Sequence, residues 1–168
     1  DIYNILNSST DCDLIITTGG VSVGKYDLIQ KALENFSRNK TEFWKIAMRP
    51  GKPLLFSKIN KTPLIGLPGN PVSSGVCCLI FVNIAIRSML GDTNEFPIFE
   101  NATLNGELSQ NDQRFDFVRA NINYRSGNAY VTPITKQDSS MITKFSYSDC
   151  LITRAVSYTH LTLPTRLS

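Results

Sequence analysis

Apolar positions along this chain follow two periods, and the change from one to the other divides it. Ile2, Ile5 and Leu6 stand at helical spacing, so residues 1–9 read as the end of a helix. Asp13 to Thr18 holds the run Leu14-Ile15-Ile16 between polar and glycine signals, the mark of a short buried strand. Leu28, Ile29, Ala32, Leu33 and Phe36 form an apolar stripe on one helical face. Phe43 to Met48 alternates and suits a strand, with Phe43 and Trp44 read as core side chains. Leu54 to Lys58 and Pro63 to Leu67 flank Asn60-Lys61, which predicts a β-hairpin. Asn70 is placed to cap, and Pro71 to open, a helix that runs to about Leu90 and stops at Gly91.

Beyond Gly91 the texture changes. Asp92, Asn94 and Glu95 make a polar connector ending at Pro97, and the runs that follow are β-like. Ile98 to Leu104, Phe115 to Tyr124 and Ala129 to Ile134 are strand candidates, with a turn at Ser126-Gly127-Asn128. Ser139 to Lys144 reads as a helical turn and Cys150 to Thr153 as a last strand. The expected organisation is an α/β domain over residues 1–91 and a small all-β domain over 92–154. Residues 155–168 are set apart as an artefactual tail. The stretch from Val156 to Thr165 resembles the translation of a sequencing-library adapter, in which case the single histidine, His160, has no chemical role.

Composition narrows the function classes. The 168 residues are 42% hydrophobic and 18% charged, a globular balance. A net charge of +3 with scattered basic residues gives no ground for nucleic-acid or membrane-surface binding. The longest apolar run, Val76 to Ile86, is interrupted by Asn83 and falls short of the roughly 20 residues of a membrane span, so it reads as a buried helix. Cys12, Cys77, Cys78 and Cys150 have neither C-x-x-C spacing nor a nearby histidine. Reduced thiols in a cytoplasmic protein are the reading, and no leader segment is visible.

The chemistry lies in three loops. Thr17-Thr18-Gly19-Gly20-Val21-Ser22-Val23-Gly24 joins the first predicted strand to a helix. Such a joint can hold an anion, because the helix start offers unpaired N–H groups and glycine lets the backbone approach. Such a joint can equally exist only to turn the chain. Arg49-Pro50-Gly51-Lys52-Pro53 supplies fixed positive charge on a stiffened loop, and Leu67-Pro68-Gly69-Asn70-Pro71 opens the second helix. All three lie at predicted strand ends, where open α/β sheets bind ligands. Asp27, in the first helical turn after the glycine loop, is either a favourable dipole partner or a magnesium ligand. Ser22 is likewise a turn residue or a phosphate donor.

Those motifs, from Asp13 through Asp27, Phe43 to Pro53 and Gly66 to Ser73, resemble the molybdopterin molybdenumtransferase family, the MoeA-type enzymes related to the catalytic part of gephyrin. The resemblance covers about residues 1–154, including Arg114 to Ala120 and Ser139-Ser140-Met141. It implies a partial three-layer molybdopterin-binding domain of the MogA/MoaB kind, followed by the small β domain. It also implies insertion of molybdenum from molybdate into adenylylated molybdopterin, with release of AMP and help from a divalent metal such as Mg2+. On this resemblance Asp27 becomes the metal ligand and, with Lys52 and Arg49, the catalytic group. Gly19, Gly20, Ser22, Gly51, Pro53, Gly69, Asn70, Pro71 and Ser73 would line the pterin-nucleotide cleft, with Arg119 and Ser140 as further oxyanion contacts.

Family members are homodimers, and a molybdopterin adenylyltransferase is an implied partner. The upstream strand and N-terminal domains of the family have no counterpart in these residues, so the resemblance is to a C-terminal piece, expected to be inactive alone. The nearest rival readings are a molybdopterin adenylyltransferase-like domain and a non-catalytic, gephyrin-like scaffold. A competence-damage-type nucleotide hydrolase would carry a different glycine loop.

Overall fold

A computed structural model describes residues 2–21, 28–36, 39–94, 97–111, 113–138, 140–155 and 162–166. The chain forms two compact units, residues 1–46 with 51–78, and residues 47–50 with 79–168.

The first unit is built on a four-stranded sheet in the order β1-β5-β4-β2. Helix α1 (Ile2–Ser8) precedes β1 (Ile15–Thr18), and α2 (Leu28–Leu33) follows it. Strand β2 (Asn39–Trp44) runs antiparallel to β4 (Leu55–Ile59), which forms a hairpin with β5 (Thr62–Leu67). The hairpin closes at Ile59↔Thr62, with Asn60 at φ 55°, a left-handed conformation that Asn tolerates better than most residues. Strand β1 then adds parallel to β5.

Side-chain alternation shows that β5 is buried on both faces of this sheet. Leu55, Ile59 and Leu64 point into a core with Leu6, Ile15, Val21, Ile29, Leu33 and Phe36. Ile65 and Leu67 point to the opposite face, and both are also buried. Each such side chain stabilises the fold by about 1.5–3 kcal/mol through removal from water.

The predicted strand over Phe43 to Met48 splits. Lys45 adopts φ 70°, which turns the chain out of the sheet after Trp44. Met48 and Arg49 pair instead with β7 in the second unit, as the short strand β3 (Met48–Arg49). Phe43 is not core: it is 38% exposed and stacks on Phe56 with ring centroids 5.6 Å apart.

The helix after Asn70 begins as α3 (Pro71–Cys77), passes through a π-helical segment (Cys78–Val82) and continues as α4 (Asn83–Met89). Val72, Val76, Cys77, Ile80 and Val82 are buried, but α4 buries nothing and exposes Ile84, Ile86 and Met89. The expectation of a buried helix therefore holds for its first half only. Taken whole, Pro71–Met89 is long and apolar enough to cross a membrane by length and composition.

In the second unit the described strands form a sheet in the order β10-β9-β7-β8-β6, with β3 beside β7. Strand β7 (Phe115–Arg125) and β8 (Asn128–Pro133) meet at a two-residue turn in which Ser126 (φ 48°) and Gly127 (φ 78°) are both left-handed, the geometry that matches strand twist. Strand β9 (Cys150–Arg154) pairs antiparallel with β7 on its other side. Strand β6 (Thr103–Leu104) is much shorter than the predicted Ile98 to Leu104. Ile98 and Phe99 are 58% and 52% exposed, so no packed face holds that run as a strand. The helical turn near Ser139 is α5 (Ile142–Ser146), and residues 162–166 of the tail run as β10 beside β9.

Candidate functional site

Register fixes one edge of the first sheet as the meeting place of the loops. Thr17 pairs with Gly66, and Gly66 with Leu55. Strands β1 and β5 leave this edge while β4 enters it, so Gly19-Gly20, Pro68-Gly69-Asn70 and Gly51-Lys52-Pro53 emerge at the same end of the sheet. The amide of Gly19 donates to the Leu67 carbonyl at 3.0 Å. A side chain on Gly19 would begin 3.8 Å from the Gly69 Cα, so the two turns touch backbone to backbone. Gly19 and Gly20 both have positive φ (75° and 70°), as their residue type requires here.

Asn70 caps α3. Its Oδ1 accepts from the Ser73 amide at 3.2 Å and lies 3.4 Å from the Ser73 hydroxyl, which points to Asn70 from a buried position. Pro71 occupies the first helical position, where its missing N–H costs nothing.

The basic loop is held by its main chain. The Lys52 carbonyl accepts from the amides of Ile46 (3.0 Å) and Leu54 (3.1 Å). Gly51 has φ 116°, and its carbonyl lies 3.9 Å from the Cys77 thiol. That thiol is pushed up to about 12, first by burial and then by Cys78, so it is a neutral donor rather than a nucleophile. The Lys52 side chain is exposed at this edge, beside Pro53.

The remaining predicted residues belong to the second unit. Arg49 forms a fork with Asp116, Nε to Oδ1 at 2.7 Å and Nη2 to Oδ2 at 2.6 Å. Arg119 is 1% exposed, and its guanidinium donates to the Asp138 carbonyl at 3.0 Å, the Gln137 amide oxygen at 3.3 Å and the Met141 carbonyl at 3.5 Å. Burial lowers its pKa, opposed by the Asp138 charge. The Ser140 amide and hydroxyl both donate to Asp138 Oδ1 at 2.8 Å. Those bonds hold the Asp138 carboxyl below its usual range. Arg119 and Ser140 are thus joined by the 137–141 turn.

Asp27 and Ser22 lie outside the described residues, as do Ser139 and His160. Among the described residues no three His, Cys, Asp or Glu side chains gather to hold a metal ion. They do not by themselves make a metal centre.

Sequence reading missed Asp116, Gln137 and Arg154. Asp116 had a legible signal: it shares the buried phase of β7 with Val118 and Ala120, a carboxylate where alternation calls for an apolar residue. Gln137 had none: its amide oxygen accepts from the N–H and Nε of Arg119, and its amide group donates to the carbonyls of Arg119 and Ile134, partners that no sequence pattern marks.

The first unit's sheet with its glycine turns, followed in the chain by the separate β sheet of the second unit, defines a molybdopterin-binding class of fold. Residues 1–88 match the family described as "Probable molybdopterin binding domain", and residues 101–156 match the MoeA C-terminal region, domain IV. The chain belongs to this molybdopterin-binding family. It is 36% identical to the molybdopterin molybdenumtransferase of Haemophilus influenzae, over 86% of this chain and 36% of that protein. It is 33% identical to molybdopterin molybdenumtransferase 2 of Mycobacterium tuberculosis, over 71% of this chain and 30% of that protein. The chain thus spans about a third of the length of these relatives. Among solved structures, the molybdopterin biosynthesis MoeA protein from Pyrococcus horikosii superposes with a TM-score of 0.73, covering 99% of this chain and 40% of that one at 22% identity, a likeness of fold.

Proposed function

We propose that this chain contributes the pterin-nucleotide and oxyanion contacts of a molybdopterin molybdenumtransferase, which moves molybdenum from molybdate into adenylylated molybdopterin and releases AMP. The observation that carries the reading is the shared edge at which Gly19, Gly69 and Lys52 emerge. A nucleotide-bearing ligand needs close backbone approach and oriented N–H groups, which Gly19, Gly20 and Gly69 with the capped start of α3 supply. Lys52, and Arg49 from the same loop, supply positive charge for molybdate or for the departing phosphate. Their contribution is orientation and electrostatic stabilisation, the effect that fixed dipoles and cations give best. Ser140 and Arg119 add a turn whose hydroxyl and amide are preset by Asp138.

A divalent cation such as Mg2+, held by Asp27, belongs to this reading, and when bound it would offset phosphate charge. So do a homodimer, exchange with a molybdopterin adenylyltransferase and a cytoplasmic setting. The match of residues 101–156 to a MoeA C-terminal region favours the transferase over an adenylyltransferase-like domain. The test is a titration of adenylylated molybdopterin into the longest reading frame that carries this chain, wild type against Lys52→Ala and Asp27→Ala. We expect weaker binding for both variants and loss of molybdenum insertion. Wild-type binding and insertion in both would discard the reading.

A further inference from the structure

Gln137 is exposed, yet its side-chain amide fills the two acceptor and two donor places that such a group has. Its oxygen accepts from the Arg119 N–H at 3.0 Å and from Arg119 Nε at 3.3 Å. Its nitrogen donates to the Arg119 carbonyl at 2.9 Å and to the Ile134 carbonyl at 2.6 Å. Three of these bonds go to one residue, and the backbone shows why. The β7–β8 ladder ends at Ala120↔Pro133. Past it the Ile134 amide donates once more, to the Arg119 carbonyl at 2.9 Å, and the described chain then reaches α5 without helix or strand. The Gln137 oxygen thus gives the Arg119 N–H the acceptor that a longer strand would have given it. Arg119, 1% exposed, carries the hold onward. Its Nη2 donates to the Asp138 carbonyl at 3.0 Å and its Nη1 to the Met141 carbonyl at 3.5 Å, one on either side of Ser140 in the chain.

We propose that Gln137 is a positioning residue for Arg119 and, through it, for the turn that carries Ser140. The inference rests on the reading of Arg119 and Ser140 as oxyanion contacts. The guanidinium is planar, so an acceptor fixed at Nε, together with carbonyls at Nη1 and Nη2, sets the plane of the group as well as its place. Gln137 supplies that first acceptor while gripping the main chain of the residue it orients, so side chain and backbone of Arg119 are held by one amide. The residue type is specific. Glutamate would turn an oxygen toward the Arg119 and Ile134 carbonyls, where Nε2 now donates. Asparagine is one methylene short, and methionine matches the length but offers neither donor nor strong acceptor. Orientation of this kind matters to binding because a preset group loses no order when its ligand arrives.

The test is a titration of sodium molybdate into the longest reading frame that carries this chain, comparing wild type, Gln137→Met, Arg119→Lys, Ser140→Ala and the Gln137→Met/Arg119→Lys double variant. Gln137→Met alters no charge, so any change in affinity reports geometry. We expect it to weaken molybdate by about tenfold, in the range seen when an orienting partner is removed. Because Gln137 acts through Arg119, the same change should cost nothing further in the Arg119→Lys background. The 15Nε–H resonance of Arg119 should exchange slowly in the wild type and become averaged in Gln137→Met, which a role in stability alone would not require. If Gln137→Met does not fold, Gln137→Asn, which keeps the amide but draws it back, decides the matter with the same expected loss. Wild-type affinity in the Gln137 variant, or an equal further loss in the Arg119→Lys background, overturns the proposal. If Arg119→Lys and Ser140→Ala weaken molybdate while Gln137→Met does not, the reading of the turn stands without it. If Arg119→Lys and Ser140→Ala both bind as the wild type does, that reading falls, and the proposal with it.

Discussion

Gly19 and Gly69 meet backbone to backbone where β1 and β5 leave the sheet, the Cα of Gly69 lying 3.8 Å from the point at which a Gly19 side chain would begin. The two glycines are required for different reasons, and substitutions should separate them. Gly19→Ala forces a side chain into φ 75°, which should cost about 1–2 kcal/mol of stability whatever the ligand does. At Gly69 no positive φ is imposed, and an added Cβ meets the Gly19 Cα at 3.4 Å, an ordinary contact. Gly69→Ala should therefore change urea stability by under about 1 kcal/mol while weakening the nucleotide ligand. Urea unfolding and a binding titration, run on both variants, check the pair. An equal stability loss in the two would refute the distinction.

Gly66 is a packing requirement rather than a site residue. A Cβ there would lie 2.7 Å from Val21 Cγ1 and 3.1 Å from Leu55 Cβ, inside the core of the first unit. Gly66→Ala should destabilise by about 1–3 kcal/mol through overpacking. Its denaturation midpoint should fall, and an unchanged midpoint would mean that the β1–β5–β4 seam is looser than described.

Thiol reactivity should split the four cysteines two and two. Cys77 and Cys150 are buried, and burial first, with neighbouring Cys78 and Asp149 respectively, pushes each to about 12. Cys12 and Cys78 are exposed. Iodoacetamide at pH 8 should label Cys12 and Cys78 and spare the other two until the chain is unfolded, as mass spectrometry would show. The sign for stability follows from the raised values. Both buried thiols favour the fold below the ordinary thiol value of 9.0, and that contribution is lost as pH climbs from there toward about 12.

Acid should loosen the 137–141 turn before the β sheet behind it. The Ser140 amide, then its hydroxyl, hold the Asp138 carboxyl below the usual 3.8. A depressed carboxyl stabilises the turn above that value, and the effect disappears as pH falls through the lower, folded one. The Ser140 amide signal should shift in NMR only in strong acid, while β7 and β9 amides stay put. Asp138→Asn should abolish the shift. A Ser140 transition near pH 5 would contradict the assignment.

Much of the first unit was legible because its signals are local. The hairpin around Asn60, the cap at Asn70 with Pro71 behind it, and the α2 stripe each depend on residues within one turn of each other. The failures are tertiary. Phe43 to Met48 alternates like one strand, yet Lys45 turns the chain so that Met48 and Arg49 join a different sheet. Ile98 to Leu104 is apolar enough for a strand but has no packed face to make one. At the candidate site, the glycines and Lys52 could be named from their loops. That Arg49 is forked to Asp116, and Arg119 enclosed by Gln137 and Asp138, depends on partners far along the chain.

What the sequence determined by itself was the set of parts: a glycine turn after a buried strand, a stiff basic loop, a capped helix and a β-rich second half. Local sterics, capping and side-chain period are enough to write those down. The tertiary structure alone decided which parts meet, because strand register brought Thr17, Gly66 and Leu55 into line and carried three loops to one edge. It also decided that one buried carboxylate, Asp116, would serve two arginines, since a charge can be held away from water only where folding delivers its partners.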